Sequence, residues 1–288
     1  GGATLQFAMI PMNFLRPGTS ADYIKSGTWA NKAASDAKKL GNVNIYFDGT
    51  EQNFTSLPDP KSVKPSMDSS YLYLCSNETI GGIEWQDWPE TGSTPLIADM
   101  SSDLLSRPVP VENFAMIYGG VQKNLGPAGA PLVILRKDML ERQDQNLPAY
   151  LDYRSHAQEE GLYNTPPVFS IWAVKLVLEW IKRNGGAEGM AKRAALKSSM
   201  IYDVIDSSGG LYRSPVDARF RSKMNIVFRL ESEELEKKFL SEATSAGMLG
   251  LKGHRSVGGL RASIYNALPV EDVQALADLM KDFQRVSG

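Results

Sequence analysis

The stretch Tyr118-Gly-Gly-Val-Gln-Lys-Asn-Leu-Gly-Pro-Ala-Gly129 surrounds one lysine, Lys123, with four glycines and a proline. It directly follows the apolar run 114–117, so we predict that a strand ends here and a loop begins. Glycine lets the backbone approach a bulky partner closely. A lysine with a lowered pKa is a nucleophile, and a Schiff base with pyridoxal phosphate is a common covalent use of it. The alternative is a glycine-rich turn that carries an incidental lysine.

Two apolar runs upstream of this loop, 71–75 and 94–98, also end in polar residues. Short apolar runs that alternate with helical or loop stretches predict an α/β fold with a mainly parallel sheet flanked by helices. In such a sheet Thr79, Asp99 and Lys123 fall at or just beyond the same edge. Open α/β sheets bind their ligands at that edge.

Asp99 is the second candidate for cofactor chemistry. A pyridoxal enzyme needs a carboxylate against the pyridinium nitrogen, because the protonated ring is the electron sink of the reaction. The sequence Asp99-Met-Ser-Ser102 is equally suited to cap the N-terminus of a helix. Both interpretations can hold together.

The first fourteen residues and Trp29 carry weaker signals. Helical spacing from Leu5 onward would put residues 1–4 at a helix N-terminus, where free N–H groups favour an anion such as a phosphate. An ordinary N-cap is the alternative. Trp29 stands between a predicted strand and a predicted helix (30–40), where it either fills the core or stacks on a ligand ring.

The amphipathic segment 168–183 predicts a long helix, and Asn164 and Thr165 precede it as possible caps. Asn184-Gly-Gly186 ends that helix and marks the predicted domain boundary. We therefore predict a large domain over 1–186 and a smaller C-terminal α+β domain over 187–288. The latter is predicted to contain strands at 225–229, 250–252 and 262–265.

The segment Lys252-Gly-His-Arg-Ser-Val-Gly-Gly-Leu-Arg261 lies between the last two of these predicted strands. His254, Arg255 and Arg261 supply several cationic donors within ten residues. The planar fork of arginine suits carboxylate and phosphate groups. A merely solvated hairpin is the alternative.

Composition excludes several classes of function for these 288 residues. A net charge of −2 with scattered positive charges argues against nucleic acid as a partner. One cysteine excludes a disulfide framework and a multi-cysteine metal site, and the two histidines are far apart, so we predict no metal. Since the sequence contains no apolar run long enough for a bilayer, we expect no membrane association and a cytoplasmic location.

Six motifs of this sequence together resemble those of the phosphoserine aminotransferase family and occur in the same order. The members of that family are class V transaminases of pyridoxal-phosphate fold type I. The six motifs are Gly1-Gly-Ala-Thr-Leu-Gln-Phe7, Asn77-Glu-Thr79, Ala98-Asp-Met-Ser-Ser102, Tyr118-Gly-Gly-Val-Gln-Lys-Asn124, Tyr163-Asn-Thr-Pro-Pro167 and Lys252-Gly-His-Arg-Ser-Val-Gly-Gly258. The resemblance runs from end to end of the chain. It also implies that a family segment preceding Gly1, with a strand and a further substrate-binding arginine, is missing from this sequence.

The resemblance implies a role for each candidate residue. Lys123 would form the Schiff base, Asp99 would pair with the pyridinium, Trp29 would stack on the ring and Thr79 would contact the cofactor. The phosphate of the cofactor would be held by Ala3, Thr4 and Gln122, with Asn164 and Thr165 from the second subunit of a homodimer with shared sites. Arg261 would bind the substrate carboxylate, and His254 and Arg255 the substrate phosphate.

The implied reaction interconverts phosphoserine and 2-oxoglutarate with phosphohydroxypyruvate and glutamate, a step of serine biosynthesis. Two alternatives stay open at this point. One is a class V enzyme that acts on small amino acids without a phosphate, against which His254 and Arg255 argue. The other is a protein that binds the cofactor without catalysis.

Overall fold

The computed structural model describes residues 2–142 and 146–287, which contain eleven β-strands in two larger sheets and one hairpin. The strands are β1 (Ser20–Lys25), β2 (Asn42–Asp48), β3 (Ser69–Cys75), β4 (Asn77–Glu78), β5 (Ile83–Glu84), β6 (Leu96–Asp99), β7 (Met116–Gly120), β8 (Pro131–Leu135), β9 (Tyr212–Arg213), β10 (Asn225–Leu230) and β11 (Leu260–Ser263). The main sheet has the order β2-β1-β3-β6-β7-β8. All its neighbouring strands pair in parallel except β7 and β8, which are antiparallel.

Eight α-helices connect and cover these strands in the described residues. They are α1 (Gln6–Phe14), α2 (Thr28–Ala37), α3 (Asp138–Glu141), α4 (Tyr153–Gln158), α5 (Val168–Arg183), α6 (Gly186–Ser207), α7 (Glu233–Ser245) and α8 (Val270–Ser287). A single 3-10 turn, Ala3–Leu5, precedes α1. The predicted mainly parallel sheet flanked by helices is thereby confirmed.

The central strands of the main sheet are buried on both faces. One apolar cluster joins one face of the sheet to α1 and α2, and a second cluster covers the other face with Trp85, Leu104 and Ile181. Residues 71–75 of β3 are all buried, which is why this stretch is continuously apolar instead of alternating. Ligand access to such a sheet is therefore confined to the ends of its strands.

The C-terminal part of the chain builds its own antiparallel sheet, with the order β11-β10-β9. Its apolar cluster combines side chains of these strands with those of α6, α7 and α8. α6 begins at Gly186, directly after Gly185 in the left-handed region with φ 89°. A Cβ atom at Gly189 would lie 2.0 Å from the Asn184 carbonyl oxygen, so the close turn between α5 and α6 requires glycine there. The domain division at residue 186 stays a prediction.

The predicted strand at 250–252 is wrong. Only Lys252 makes an isolated bridge, to Leu260, and β11 begins at Leu260 instead of Ala262. Gly247 and Gly250 both have positive φ and interrupt the extended backbone before Lys252. By contrast, α5 has the predicted bounds. No helix within residues 2–142 and 146–287 has the length and apolar character needed to cross a membrane.

Candidate active site

The carboxyl ends of β3, β6 and β7 meet at one edge of the main sheet. Cys75 pairs with Asp99, and Asp99 pairs with Tyr118, so these three positions lie side by side. A cavity of about 80 Å³ opens at this edge. It is lined by Ala3, Thr4, Phe7, Trp29, Cys75, Asn77, Thr79, Asp99, Ser101, Ser102, Gln122 and Lys123. Seven of the predicted site residues are among these.

Lys123 lies in the loop that follows β7. Its Nζ atom donates a hydrogen bond of 2.6 Å to Oγ1 of Thr79 and lies 5.6 Å from the centroid of the Trp29 ring. Burial lowers the pKa of the Lys123 amine, and the negative charge of Asp99 opposes that shift in part. A larger fraction of the amine is therefore uncharged than on an exposed lysine. An uncharged lysine amine can attack a carbonyl group.

Glycine in β7 is required by close packing against the loop that follows β6. A Cβ atom at Gly119 would lie 3.2 Å from both the nitrogen and the Cα of Ser101. Since those are backbone atoms, they could not move aside as a side chain can. Gly119 thereby lets the segment that leads to Lys123 run directly beside the residues that follow Asp99.

The carboxylate of Asp99 is buried and accepts two hydrogen bonds. Ser101 donates its backbone N–H to Oδ1 at 2.8 Å, and Tyr118 donates its hydroxyl to Oδ2 at 3.1 Å. The bond from Ser101 is the cap-type contact that the sequence indicated, but residues 101–105 form turns and no α-helix begins directly after Asp99. The helix-cap prediction is therefore wrong as to the helix, while Asp99 still lines the cavity.

Trp29 stands in the first turn of α2, whose N-terminus is capped from another strand. Glu78 accepts hydrogen bonds from the backbone N–H groups of Trp29, at 3.0 Å, and Ala30, at 2.8 Å. Burial raises the pKa of Glu78 to about 7. A Cβ atom at Gly27 would lie 2.5 Å from Cδ of Glu78, so glycine at this position makes room for the cap. Trp29 also has an indole Nε1 that is buried without a hydrogen-bond partner.

Sequence reasoning did not assign Glu78 this role. One signal was available in the sequence, because Gly27, directly before α2, has no side chain that could cap the helix. The free N–H groups at the N-terminus of such a helix need an acceptor from elsewhere. Its partner, 48 positions away in the chain, could not be identified without the strand order.

Ala3 and Thr4 line the cavity together with Gln122. Ala3 and Thr4 belong to the 3-10 turn that leads into α1. This end of the helix, where free backbone N–H groups lie, therefore faces the cavity. Gly1 of the predicted phosphate site lies outside the described residues. The positive end of α1 makes this part of the cavity suited to an anion.

Asn164 and Thr165 do not line the cavity of their own chain. Both are exposed in the segment between α4 and α5, and Asn164 donates its side-chain amide to the Thr165 carbonyl at 2.9 Å. Neither caps α5, because its N-cap residue is Pro167 and no side chain bonds there. The helix-cap alternative for this pair is therefore wrong.

Arg261 connects the C-terminal sheet to the cavity edge. It lies on β11, and its Nη1 donates to the backbone carbonyl of Thr79 at 3.3 Å, while its buried Nε has no hydrogen-bond partner. Arg255 is exposed, and the His254 ring lies 2.7 Å, Nδ1 to Oγ, from Ser256. The guanidinium of Arg261 thus reaches the same loop that holds Thr79.

The loop that carries His254 and Arg255 is closed by its own backbone. Gly253 donates its N–H to the Gly259 carbonyl at 2.8 Å, and Gly258 donates to the His254 carbonyl at 2.8 Å. A Cβ atom at Gly253 would lie only 2.0 Å from the Gly258 oxygen. Glycine at 253 is therefore a requirement of loop closure, which fixes the path of the chain at His254 and Arg255.

A buried polar group behind Asp99 was also missed by sequence reasoning. Ser76 donates its backbone N–H to the Asp99 carbonyl at 2.9 Å, and its hydroxyl is within hydrogen-bond distance of Asp103. Arg107 lies 3.8 Å from Asp103 and 3.6 Å from the buried Glu84. This network holds the backbone at the end of β6. Two carboxylates that share one arginine are difficult to detect in a sequence.

Known proteins are similar to this chain over nearly its whole length. The family model for aminotransferase class-V matches residues 1–276. Phosphoserine aminotransferase of Niallia circulans is 50% identical over 288 residues, which are 100% of this chain and 80% of that protein. The corresponding protein of Lysinibacillus sphaericus is 48% identical over 285 residues, covering 99% and 79% of the two chains.

Solved structures show the same similarity. The phosphoserine aminotransferase from Bacillus circulans subsp. alkalophilus superimposes with a TM-score of 0.98 at 50% identity, over 100% of this chain and 80% of that chain. A second phosphoserine aminotransferase structure, described for radiation damage of its Schiff base, gives a TM-score of 0.97 at 47% identity, with the same coverage.

Proposed function

The chain belongs to the class V aminotransferase family, and we propose that it interconverts O-phosphoserine and 2-oxoglutarate with 3-phosphohydroxypyruvate and glutamate in serine biosynthesis. The observation that carries this proposal is the arrangement of Lys123, Thr79 and Asp99 around one cavity, with Trp29 beside the amine. Phosphoserine aminotransferases that are 50% and 48% identical to this chain over nearly its whole length support phosphoserine as the substrate.

Pyridoxal phosphate is the cofactor, and the residues of the cavity fit it. When bound, it supplies an aldehyde that links covalently to amines and a pyridinium ring that withdraws electrons from the bonds at the amine-bearing carbon. The flat indole of Trp29 offers a stacking surface, the buried carboxylate of Asp99 a partner for a protonated ring nitrogen, and Lys123 an amine for the aldehyde. The residues at the N-terminal end of α1 offer donors for the phosphate.

Lys123 is the residue that moves protons in this proposal. Because burial lowers its pKa, the Lys123 amine is uncharged in a larger fraction of the molecules and can form the link to the aldehyde. With cofactor and substrate bound, the same Nζ would act as the base for the proton on the substrate α-carbon and then as the acid that gives that proton back. The hydroxyl of Thr79, at 2.6 Å, holds the amine in place for both roles.

Substrate selection is assigned to Arg261, His254 and Arg255. Arg261, which reaches the backbone of Thr79, binds the α-carboxylate that all amino-acid substrates share. His254 and Arg255, on the glycine-closed loop, bind the phosphate, because a dianion needs more than one donor. A class V enzyme for unphosphorylated amino acids would have no use for the second pair.

We further propose a homodimer in which each site is shared. Asn164 and Thr165 lie away from the cavity of their own chain, so they serve the phosphate of the cofactor in a second copy. The adjoining helix α5 exposes large apolar side chains, among them Phe169 with 69% of its surface and Trp172 with 54%. An apolar face of this kind is typical of an interface between subunits.

We propose a cytoplasmic location as well, since the proposed substrates are charged metabolites.

The test is an assay of glutamate formation from 2-oxoglutarate with phosphoserine, serine or alanine as amino donor. We expect the cofactor absorbance of the purified protein to change on addition of phosphoserine, and phosphoserine to be the preferred donor. Equal use of serine and alanine would instead identify an enzyme for unphosphorylated amino acids. A protein that shows cofactor absorbance but no change with any donor would contradict catalysis altogether.

A further inference from the structure

The buried carboxylate of Asp99 is held by a side chain that the proposed mechanism does not use. Its Oδ2 accepts the hydroxyl proton of Tyr118 at 3.1 Å, and its Oδ1 accepts the backbone N–H of Ser101 at 2.8 Å. The bond from Ser101 is set by the turn of the backbone. The bond from Tyr118 depends on the side chain at position 118.

Tyr118 in turn receives a hydrogen bond from another tyrosine. The hydroxyl oxygens of Tyr73 and Tyr118 are 2.7 Å apart. A phenol has one proton to donate, and that of Tyr118 points to Asp99. Tyr73 must therefore donate to Tyr118, and the bonds run in one direction from Tyr73 through Tyr118 to Asp99.

The register of the sheet produces this arrangement. Asp99 of β6 pairs directly with Tyr118 of β7, so both side chains leave the same face of the sheet. Tyr73 of the neighbouring β3 lies two residues before Cys75, the partner of Asp99, and so shares that face. Burial, and then the charge of Asp99, raise the pKa of the Tyr118 hydroxyl well above its ordinary value. Tyr118 is consequently a donor at every pH at which the protein works.

We propose that Tyr118 is a positioning residue that orients the carboxylate of Asp99, with Tyr73 as its supporting donor, so that a proton shared between Asp99 and the ring nitrogen of the cofactor stays on the nitrogen. This inference rests on the proposed assignment of Asp99 to that nitrogen. A carboxylate that loses a donor becomes more basic and competes more strongly for the proton. Without Tyr118, the proton shifts from the ring nitrogen toward Asp99, and the ring withdraws electrons less strongly.

The chain contains a matched control for this proposal. Tyr71 and Tyr23 form a second buried hydroxyl pair, 2.8 Å apart, in the same apolar cluster. Removing the Tyr71 hydroxyl costs one buried tyrosine–tyrosine hydrogen bond, as removing that of Tyr118 does. Only the change at Tyr118 also removes a bond to Asp99.

The experiment compares Tyr118→Phe with Tyr71→Phe as holoenzymes, loaded with cofactor that carries an NMR-active isotope at its ring nitrogen. We expect the ring-nitrogen signal of Tyr118→Phe to move toward that of neutral pyridine, and kcat to fall by roughly tenfold, the loss of one charge-assisted hydrogen bond. The KM for phosphoserine should stay within about twofold, because Tyr118 does not line the cavity. Tyr71→Phe should leave the signal and kcat unchanged.

A second variant covers the case in which Tyr118→Phe fails to fold. Incorporation of 3-fluorotyrosine at position 118 preserves the shape of the side chain and makes its hydroxyl a stronger donor, so the ring-nitrogen signal should move the opposite way, toward pyridinium. An unmoved signal in either variant overturns the proposal. If the unsubstituted protein gave no ring-nitrogen signal of bound cofactor, the cofactor assignment itself would be refuted. Failure of the Tyr118 proposal and failure of the proposed function are therefore distinguishable.

Discussion

The amine of Lys123 lies 2.6 Å from the hydroxyl oxygen of Thr79, although Lys123 follows β7 and Thr79 follows β4, the short strand that comes after β3. A hydroxyl stabilises an ammonium less than a carboxylate does, because it carries no charge. This partner therefore fixes the direction of Nζ without cancelling the effect of burial on its pKa. Position and reactivity of the lysine are set by different features of the site.

Thr79→Val tests this relationship. We expect kcat/KM for phosphoserine to fall about tenfold, since the amine loses the bond that aims it and about 1.4 kcal/mol corresponds to a tenfold loss. Thr79→Ser keeps the hydroxyl and should retain most of the activity. Steady-state kinetics of the two variants decide the matter, and an active Thr79→Val enzyme with unaltered kcat/KM would show that the hydroxyl is dispensable.

Glu78 should make stability depend on pH. Its pKa in the folded protein is raised to about 7 from a usual value of 4.5. The folded state therefore binds more protons than the unfolded state between those values, and stability falls as pH rises through that window. The contribution amounts to roughly 3 kcal/mol, because each pKa unit corresponds to about 1.4 kcal/mol.

Glu78→Gln removes this titration while keeping the shape of the side chain. The unfolding free energy of the parent, taken relative to that of Glu78→Gln, should therefore decrease from about pH 4.5 to about pH 8. Chemical denaturation of both proteins at both pH values measures it. Other groups that titrate in this range cancel in the difference. A difference that stays constant over that range would contradict the raised pKa.

Shared active sites predict complementation between two inactive variants. Lys123→Ala removes the amine, and the double variant Asn164→Ala, Thr165→Ala removes the phosphate contacts that we assign to the second subunit. Mixed dimers contain one site with both defects and one with neither, so they should recover up to about half of the parental activity per dimer. Size-exclusion chromatography and mass spectrometry establish that mixed dimers form. Mixed dimers without activity would refute sharing of the sites.

Specificity should depend on Arg255 but not on Arg261. Arg255→Ala leaves part of the substrate phosphate unpaired, so kcat/KM for phosphoserine should fall roughly tenfold to a hundredfold, the cost of a charge-assisted bond. Activity with serine should change far less. Arg261→Ala removes the contact to a carboxylate that every donor carries, so both substrates should lose activity in similar proportion. Equal proportional losses in Arg255→Ala would exclude a phosphate-specific role.

Much of this site was predictable because its signals are local. The glycines around Lys123, the apolar run before it and the polar residues after two other runs sufficed to place Thr79, Asp99 and Lys123 at one sheet edge. The bounds of α5 followed from its amphipathic pattern and from Asn184-Gly-Gly186 after it. Each of these features depends on residues that are neighbours in the chain.

The contacts that were missed depend on strand order, which the sequence does not contain. Glu78 caps a helix 48 positions away, and Tyr118 reaches Asp99 across 19 positions because β6 and β7 are adjacent. The predicted strand at 250–252 failed for a local reason, because positive φ at Gly250 was not included in that prediction. Long-range pairing requires the assembled sheet, whereas Gly250 is visible in the sequence itself.

The central claim is that Lys123 holds the cofactor, and chemical reduction tests it most directly. Borohydride converts a Schiff base into a stable secondary amine, so peptide mapping by mass spectrometry of the reduced holoenzyme locates the modified lysine. We expect the phosphopyridoxyl group on the peptide that contains Lys123, and its absence from Lys123→Ala. A phosphopyridoxyl group on any other lysine of the reduced parent protein would contradict the assignment.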